Sequence, residues 1–313
     1  MITPHSHPIR IGTRGSPLAM AQAHQVRERL VAAGHDPVAL EIRTFKTTGD
    51  KILDRPLADA GGKGLFTKEL EDALFANEID IAVHSMKDVA TRLPDGLRLA
   101  VVLPREDVRD AFISHHYKSL ADLPQGAKFG TSSLRRKSQI LNLRPDLEIV
   151  EFRGNVQTRL KKLEDGVAEA TLLALAGLKR LGLDDRAAGI FPETEMLPAC
   201  AQGAIGIEIR AADNAAATAI SALDHQPTHI AVIAERAFLR VLDGSCRTPI
   251  AGLARLDGDK LKFRGQVLSL DGKREVTVER TGRPSEAIRL GEDAAAEILR
   301  LAGPDLLGAR GMT

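Results

Sequence analysis

The first half of the chain alternates short β-rich runs with helical patterns, which commits it to an α/β sheet flanked by helices. Ile9–Ile11 reads as a strand. Ser16 follows as an N-cap with Pro17 at the first helical position, and Ala19, Ala23, Val26 and Leu30 share one helical face before Gly34. Val38–Phe45 is a second strand. Gly61-Gly62-Lys63-Gly64 opens a further helix with Phe66, Leu70, Ala73 and Leu74 on its inner stripe. Ile79–Val83 is a strand that delivers His84-Ser85-Met86-Lys87-Asp88 at its C-terminal end, and Leu97–Leu103 is another.

A second unit starts near Arg109, with strands expected over 111–114, 128–129, 148–152 and 170–173 and helices after Ser133, Asn155 and Ala176. The strand Ala204–Arg210 is isolated in sequence and is expected to return to the first sheet. The last hundred residues change character. Thr228 caps a strongly periodic helix ended by Gly244, Asp257-Gly258 and Asp271-Gly272 signal hairpin turns, and a final helix runs over about 285–301. The expected domains are therefore 1–103 with about 204–222, 109–198, and a small α+β domain over 226–313.

Lys+Arg 43 against Asp+Glu 42 leaves a net charge of +1 in 313 residues, unlike a protein that coats nucleic acid. With no Trp and 3% aromatic residues, base-stacking platforms are not expected either. Two cysteines, Cys200 and Cys246, make no disulfide framework and fit a reducing compartment. The N-terminus has no apolar core of signal-peptide length, and no apolar run is long enough to span a membrane, so a cytoplasmic protein is expected. Neither His5 and His7 in a frayed tail nor His115-His116 suggests a metal site.

Against this neutral background, Gly130-Thr131-Ser132-Ser133-Leu134-Arg135-Arg136-Lys137 breaks a local rule. Three cations stand in the first turn of a helix, where the dipole and the free N–H groups favour acids. Either an anion is held there between N–H groups and guanidinium forks, or the segment is a solvated basic turn. Arg14, Arg153, Arg159 and Arg180 also follow strands near helix starts, and ligands of open α/β sheets bind beyond the carboxyl ends of strands. These arginines are thus expected to converge on one crevice for a carboxylate or phosphate. Gly61–Gly64 lacks Walker spacing and reads as a lid or hinge, or as a plain turn.

Asp88, at a strand end beside Lys87, either stabilises a cationic intermediate or is a salt-bridged structural residue. Cys246, between Gly244 and Pro249 and next to Arg247, is an unusual choice for a loop unless it is reactive or modified. Cys200 reads as structural.

These stretches, in order along nearly the whole chain, resemble the porphobilinogen deaminases, also called hydroxymethylbilane synthases. The matching segments include Arg10–Ala19, Asp80–Val89, Gly130–Arg136, Arg153–Leu160, Gln202–Glu208 and Gly244–Pro249. The resemblance implies two periplasmic-binding-protein type-II-like α/β domains plus a small α+β C-terminal domain. It implies a monomeric transferase that joins four porphobilinogen molecules into linear hydroxymethylbilane in heme-type tetrapyrrole biosynthesis, with no metal. The cofactor implied is a dipyrromethane held as a thioether on Cys246. Lys87, Asp88, Thr131, Ser133, Arg135, Arg136 and Arg159 correspond to cofactor contacts, and Arg14, Ser16, Arg153, Arg159 and Arg180 to substrate contacts. Asp88 corresponds to the catalytic carboxylate, accepting pyrrole N–H bonds and stabilising the cation formed as ammonia leaves. Two departures stand out: Ala201 replaces a usual glycine before Gln202, beside an atypical Cys200, and Ser245 replaces a glycine frequent before the cofactor cysteine. The rival readings are a non-catalytic two-lobed binding protein for a carboxylate or phosphate ligand, and an enzyme for phosphate esters.

Overall fold

A computed structural model describes residues 8–51, 64–242 and 248–306. The strands begin with β1 (Ile9–Arg14), β2 (Leu40–Phe45), β3 (Ile81–Ser85), β4 (Leu97–Val102), β5 (Asp110–Ile113) and β6 (Lys128–Gly130). They continue as β7 (Glu148–Val150), β8 (Ala170–Ala174), β9 (Gly189–Ile190), β10 (Ile205–Arg210), β11 (Ile250–Asp257), β12 (Lys260–Leu268) and β13 (Glu275–Gly282). The first helices are α1 (Pro17–Ala32), α2 (Thr48–Lys51), α3 (Lys68–Phe75), α4 (Leu134–Leu143) and α5 (Val156–Glu164). They are followed by α6 (Leu175–Arg180), α7 (Asn214–Ile220), α8 (Gln226–Val241) and α9 (Ala287–Leu306).

The described residues fall into two compact units, one of 8–51, 64–106 and 203–229, the other of 107–202, 230–242 and 248–306. In the first, the sheet order is β2-β1-β3-β10-β4, with β1 parallel to β2 and β3, and β10 antiparallel to β3 and β4. Side chains alternate across the strands. Ile81 and Val83 pack with Ala23, Val26 and Leu30 of α1 and with Ile220 of α7, whereas Ala82 packs with Leu70, Ala73 and Leu74 of α3. Each buried Val, Leu or Ile among them contributes about 1.5–3 kcal/mol relative to exposure.

The second unit repeats the plan with the order β7-β6-β8-β5-β9, again three parallel strands and then an antiparallel one. Phe112, Phe129 and Leu172 pack with Ile140 of α4 on one face. Ala111, Ile113 and Leu173 pack with Leu160 of α5 and Leu178 of α6 on the other. The same unit contains the antiparallel sheet β11-β12-β13, whose core includes residues of α8 and α9, with the rings of Phe238 and Phe263 5.0 Å apart. Its hairpins turn at Gly258 (φ 59°) and Gly272 (φ 72°), a region that glycine enters at no steric cost. The chain is thus mixed α/β, with two five-stranded sheets built on the same plan and a small α+β portion.

Several local boundaries differ from the sequence reading. β2 starts at Leu40 because the Asp36 carboxylate accepts the Val38 N–H at 2.9 Å and winds Pro37–Ala39 into a 3-10 turn. Thr228 lies inside α8 rather than capping it, buried, with Oγ1 accepting the Arg105 N–H at 3.1 Å. Phe66 precedes α3 instead of joining its inner stripe, since the helix starts only at Lys68. β9 has just two residues, too short for any periodicity to announce it. Gly61–Lys63, Gly244 and the histidines of the N-terminal tail lie outside the described residues.

Candidate active site

In the first unit the carboxyl ends of β1 and β3 meet the starts of α1 and α3. Arg14 ends β1 and Ser85 ends β3, after which a 3-10 turn, Met86–Asp88, carries Asp88 back over the sheet edge. Met86 anchors the turn: it is buried, and its N–H donates to Ala204 O at 3.0 Å. Lys87 and Asp88 are left exposed. A cavity of about 60 Å³ lies here, lined by Arg14, Ser16, Gln22, Phe66, Ser85 and Asp88 among others. Ser16 caps α1 by accepting the Ala19 N–H at 3.3 Å. Arg14 places its guanidinium carbon 4.2 Å from the centroid of the Phe66 ring.

Around this cavity the polar groups are tied down. Gln22 Nε2 donates to Ser85 Oγ at 2.7 Å, linking α1 to the end of β3. His84, also lining the cavity, bonds through Nε2 to Glu208 Oε2 of β10 at 2.9 Å, both side chains being buried. Burial pushes the Glu71 carboxyl of α3 above its ordinary value, and the neighbouring Glu208 charge adds to the rise. The cavity thus joins one exposed carboxylate, one half-buried guanidinium and fixed hydroxyl and amide groups.

In the second unit the three cations resolve differently from one another. Ser133 caps α4 by accepting the Arg136 N–H at 3.4 Å, and Thr131 Oγ1 accepts the Ser133 N–H at 3.2 Å. Lys137 is half-buried, whereas Arg135 and Arg136 turn inward and are buried. Their Nη2 atoms donate to the two oxygens of one carboxylate, Asp110, at 2.8 and 2.6 Å. Their Nη1 atoms donate to Leu197 O and Leu172 O at 2.9 and 3.0 Å. Burial alone would raise the Asp110 pKa, but the two guanidiniums outweigh it and hold the carboxyl well below the usual range. The solvated basic turn is therefore excluded for these two side chains.

Arg153 follows β7, Arg159 sits in the first turns of α5 and Arg180 ends α6; all three are half-buried. Asn155 caps α5 by accepting the Thr158 N–H at 2.8 Å. Since β6, β7 and β8 are parallel, Ser133, Arg153 and the start of α6 lie along one edge of the second sheet. Cys246 lies outside the described residues, and Cys200 is buried. Sequence reasoning gave no site role to Asp110, Gln202, Gln22, the His84–Glu208 pair or Phe66, which it had placed on a helical stripe. Only Asp110 had a local signal, a lone acid opening the apolar run Ala111-Phe112-Ile113.

Among the described residues no His, Cys, Asp and Glu cluster is arranged to hold a metal ion, and no helix is long and apolar enough to cross a membrane. Together with the sheets, the pocket defines a class: an α/β protein with a guanidinium and a carboxylate set side by side at its strand ends, where a small polar molecule can be held. Comparison with known proteins narrows the class. Residues 9–218 match the family described as "Porphobilinogen deaminase, dipyromethane cofactor binding domain", and residues 229–300 match "Porphobilinogen deaminase, C-terminal domain". The porphobilinogen deaminase of Paracoccus denitrificans is 58% identical over 93% of this chain and 94% of its own length. The chloroplastic enzyme of Pisum sativum is 56% identical over 95% and 82% respectively. The solved methionine-binding protein MetQ aligns at a TM-score of 0.43 and 16% identity over 75% of this chain and 95% of that one, a likeness too slight to argue from. The chain belongs to the porphobilinogen deaminase family. It is a transferase of tetrapyrrole biosynthesis with a dipyrromethane cofactor, and the reading as a non-catalytic binding protein is set aside.

Proposed function

We propose that Asp88 is the catalytic carboxylate of stepwise porphobilinogen condensation to linear hydroxymethylbilane, and that Arg14 and Ser16 hold the incoming substrate. The observation that carries this reading is the shared cavity of Asp88, Arg14 and Ser16. Porphobilinogen has carboxylate arms, a pyrrole N–H and an amine to be lost. Arg14 offers a planar fork to a carboxylate, already steadied against Phe66. Asp88 accepts the pyrrole N–H and stabilises the positive charge that develops on the substrate as ammonia departs. Arg153, Arg159 and Arg180 supply cations for the carboxylates of the growing chain.

Lys87, Thr131, Ser133, Arg135, Arg136 and Arg159 are the residues we assign to the dipyrromethane, with Cys246 as its point of attachment. The residues present fit such a group. Arg135 and Arg136 share one carboxylate, so the trio has an excess positive charge, and Arg136 Nε is a buried donor with no partner. When bound, the cofactor supplies a covalent primer whose terminal pyrrole carbon is free to react. A monomer working in the cytoplasm on this small molecule, over the three domains expected from the sequence, completes the proposal.

Intact mass measurement tests the attachment. The protein as isolated should be heavier than its sequence by a two-pyrrole adduct, and Cys246→Ser should lack it. An unmodified wild-type protein with full turnover of porphobilinogen would sink the reading.

A further inference from the structure

We propose that Asp110 is a positioning residue: the internal counter-anion that keeps the Arg135–Arg136 pair in place without the primer, and that shares the pair with a primer carboxylate once it is bound. This rests on the assignment of these arginines to the dipyrromethane. Asp110 opens β5 and is fully buried. It accepts from Arg135 and Arg136 on separate oxygens, and from Gln202 Nε2 at 3.1 Å, which also donates to Val108 O at 2.7 Å. Consecutive residues of one helix point about 100° apart, so an unguided pair would diverge. Here one carboxylate draws both forks to a single point, and Leu197 O and Leu172 O fix each from behind.

Two cations and one anion leave this trio with an excess of one positive charge. A buried charge without compensation is costly, and removing one member of a buried ionic cluster is worse than removing the cluster. The partnerless Nε of Arg136 offers a donor for a second anionic oxygen that Asp110 does not reach. Asp110 therefore offsets one of the two charges in unprimed protein, and the primer's carboxylates supply a second anion when they are present. The two anions are energetically coupled, and that coupling separates a positioning role from a merely structural one.

The test measures thermal unfolding of Asp110→Asn in two backgrounds, the primer-bearing protein and the unprimed Cys246→Ser variant, with primer content read by intact mass. The loss of Tm should be at least twice as large in the unprimed background. Folded Asp110→Asn that has lost its primer overturns the proposal, because two anions sharing one pair of cations must leave the primer held more tightly when Asp110 is gone. Equal losses in the two backgrounds, with primer retained, overturn it. Should Asp110→Asn fail to fold, the double variant Asp110→Asn/Arg135→Gln should restore soluble, cooperatively unfolding protein, because it removes one of the two uncompensated charges. No recovery in the double variant also overturns it. An adduct missing from wild-type protein would instead refute the assignment to the primer, an outcome that the mass measurement distinguishes.

Discussion

Arg14 lies over the face of Phe66, its guanidinium carbon 4.2 Å from the ring centroid, and both line the cavity that Asp88 also lines. The ring and the cation arrive from different elements, one ending β1 and the other preceding α3. A guanidinium already held over a ring loses less freedom when it engages a carboxylate, so this contact acts on substrate binding more than on chemistry.

Phe66→Leu keeps an apolar floor but removes the π-face. With about 0.5–1 kcal/mol for such a contact, KM for porphobilinogen should rise roughly 2- to 5-fold with kcat little changed. Steady-state kinetics decide; an unaltered KM would show that the stacking does not serve binding.

Asp88→Ala should leave the fold intact, because the side chain is exposed and surface changes usually stay within about 0.5 kcal/mol. Turnover should fall by about 100- to 1000-fold or more, as for removal of other preorganised electrostatic groups. Near-normal porphobilinogen consumption would refute the catalytic role.

Ala201 has a φ of 60°, which places a Cβ in the left-handed region. Its N–H is captured by the buried Glu235 carboxylate, whose other oxygen accepts the Ala254 N–H at 2.7 Å. This is a conformation that glycine, the residue the sequence resemblance leads one to expect before Gln202, adopts at no steric cost. Left-handed backbone costs a non-glycine residue about 1–2 kcal/mol, and glycine gives back about 0.4–1 through chain entropy. Ala201→Gly should therefore raise Tm by about 1–2 °C in a calorimetric scan. A fall in Tm would show that the strain is relieved elsewhere.

Glu71 supplies a pH test. Its folded-state pKa is raised by burial above the ordinary 4.5, so the native state binds its proton more tightly than the unfolded chain does. Its contribution is fully favourable below the unfolded pKa and declines as pH rises through the folded one. Glu71→Gln, which stays neutral, should match wild type near pH 4 and become the more stable of the two toward pH 7. Urea midpoints across that range measure it; a constant offset at all pH values would contradict the assignment.

Much of this was legible in the sequence because it is local. Ser16, Ser133 and Asn155 each cap the helix that follows, and capping needs only a residue and the N–H groups of its own next turn. The strand–helix alternation and the glycines at 258 and 272 are equally short-range, so the α/β class and the α+β end could be read without coordinates. The oddity of two arginines at a helix start was visible as well.

What the sequence by itself could not supply was the partner of each charge. Asp110 meets Arg135 across 25 positions, and Glu208 meets His84 across 124, because strand order brings them together. A charge's sign is written in its residue type. Its counter-ion depends on which strands pair and on which face each side chain falls, and the backbone at Ala201 depends likewise on a carboxylate 34 positions away. Local chemistry determined the elements and the candidate residues; tertiary packing alone decided which arginines turned inward onto a buried acid and which cation was laid over a ring beside Asp88.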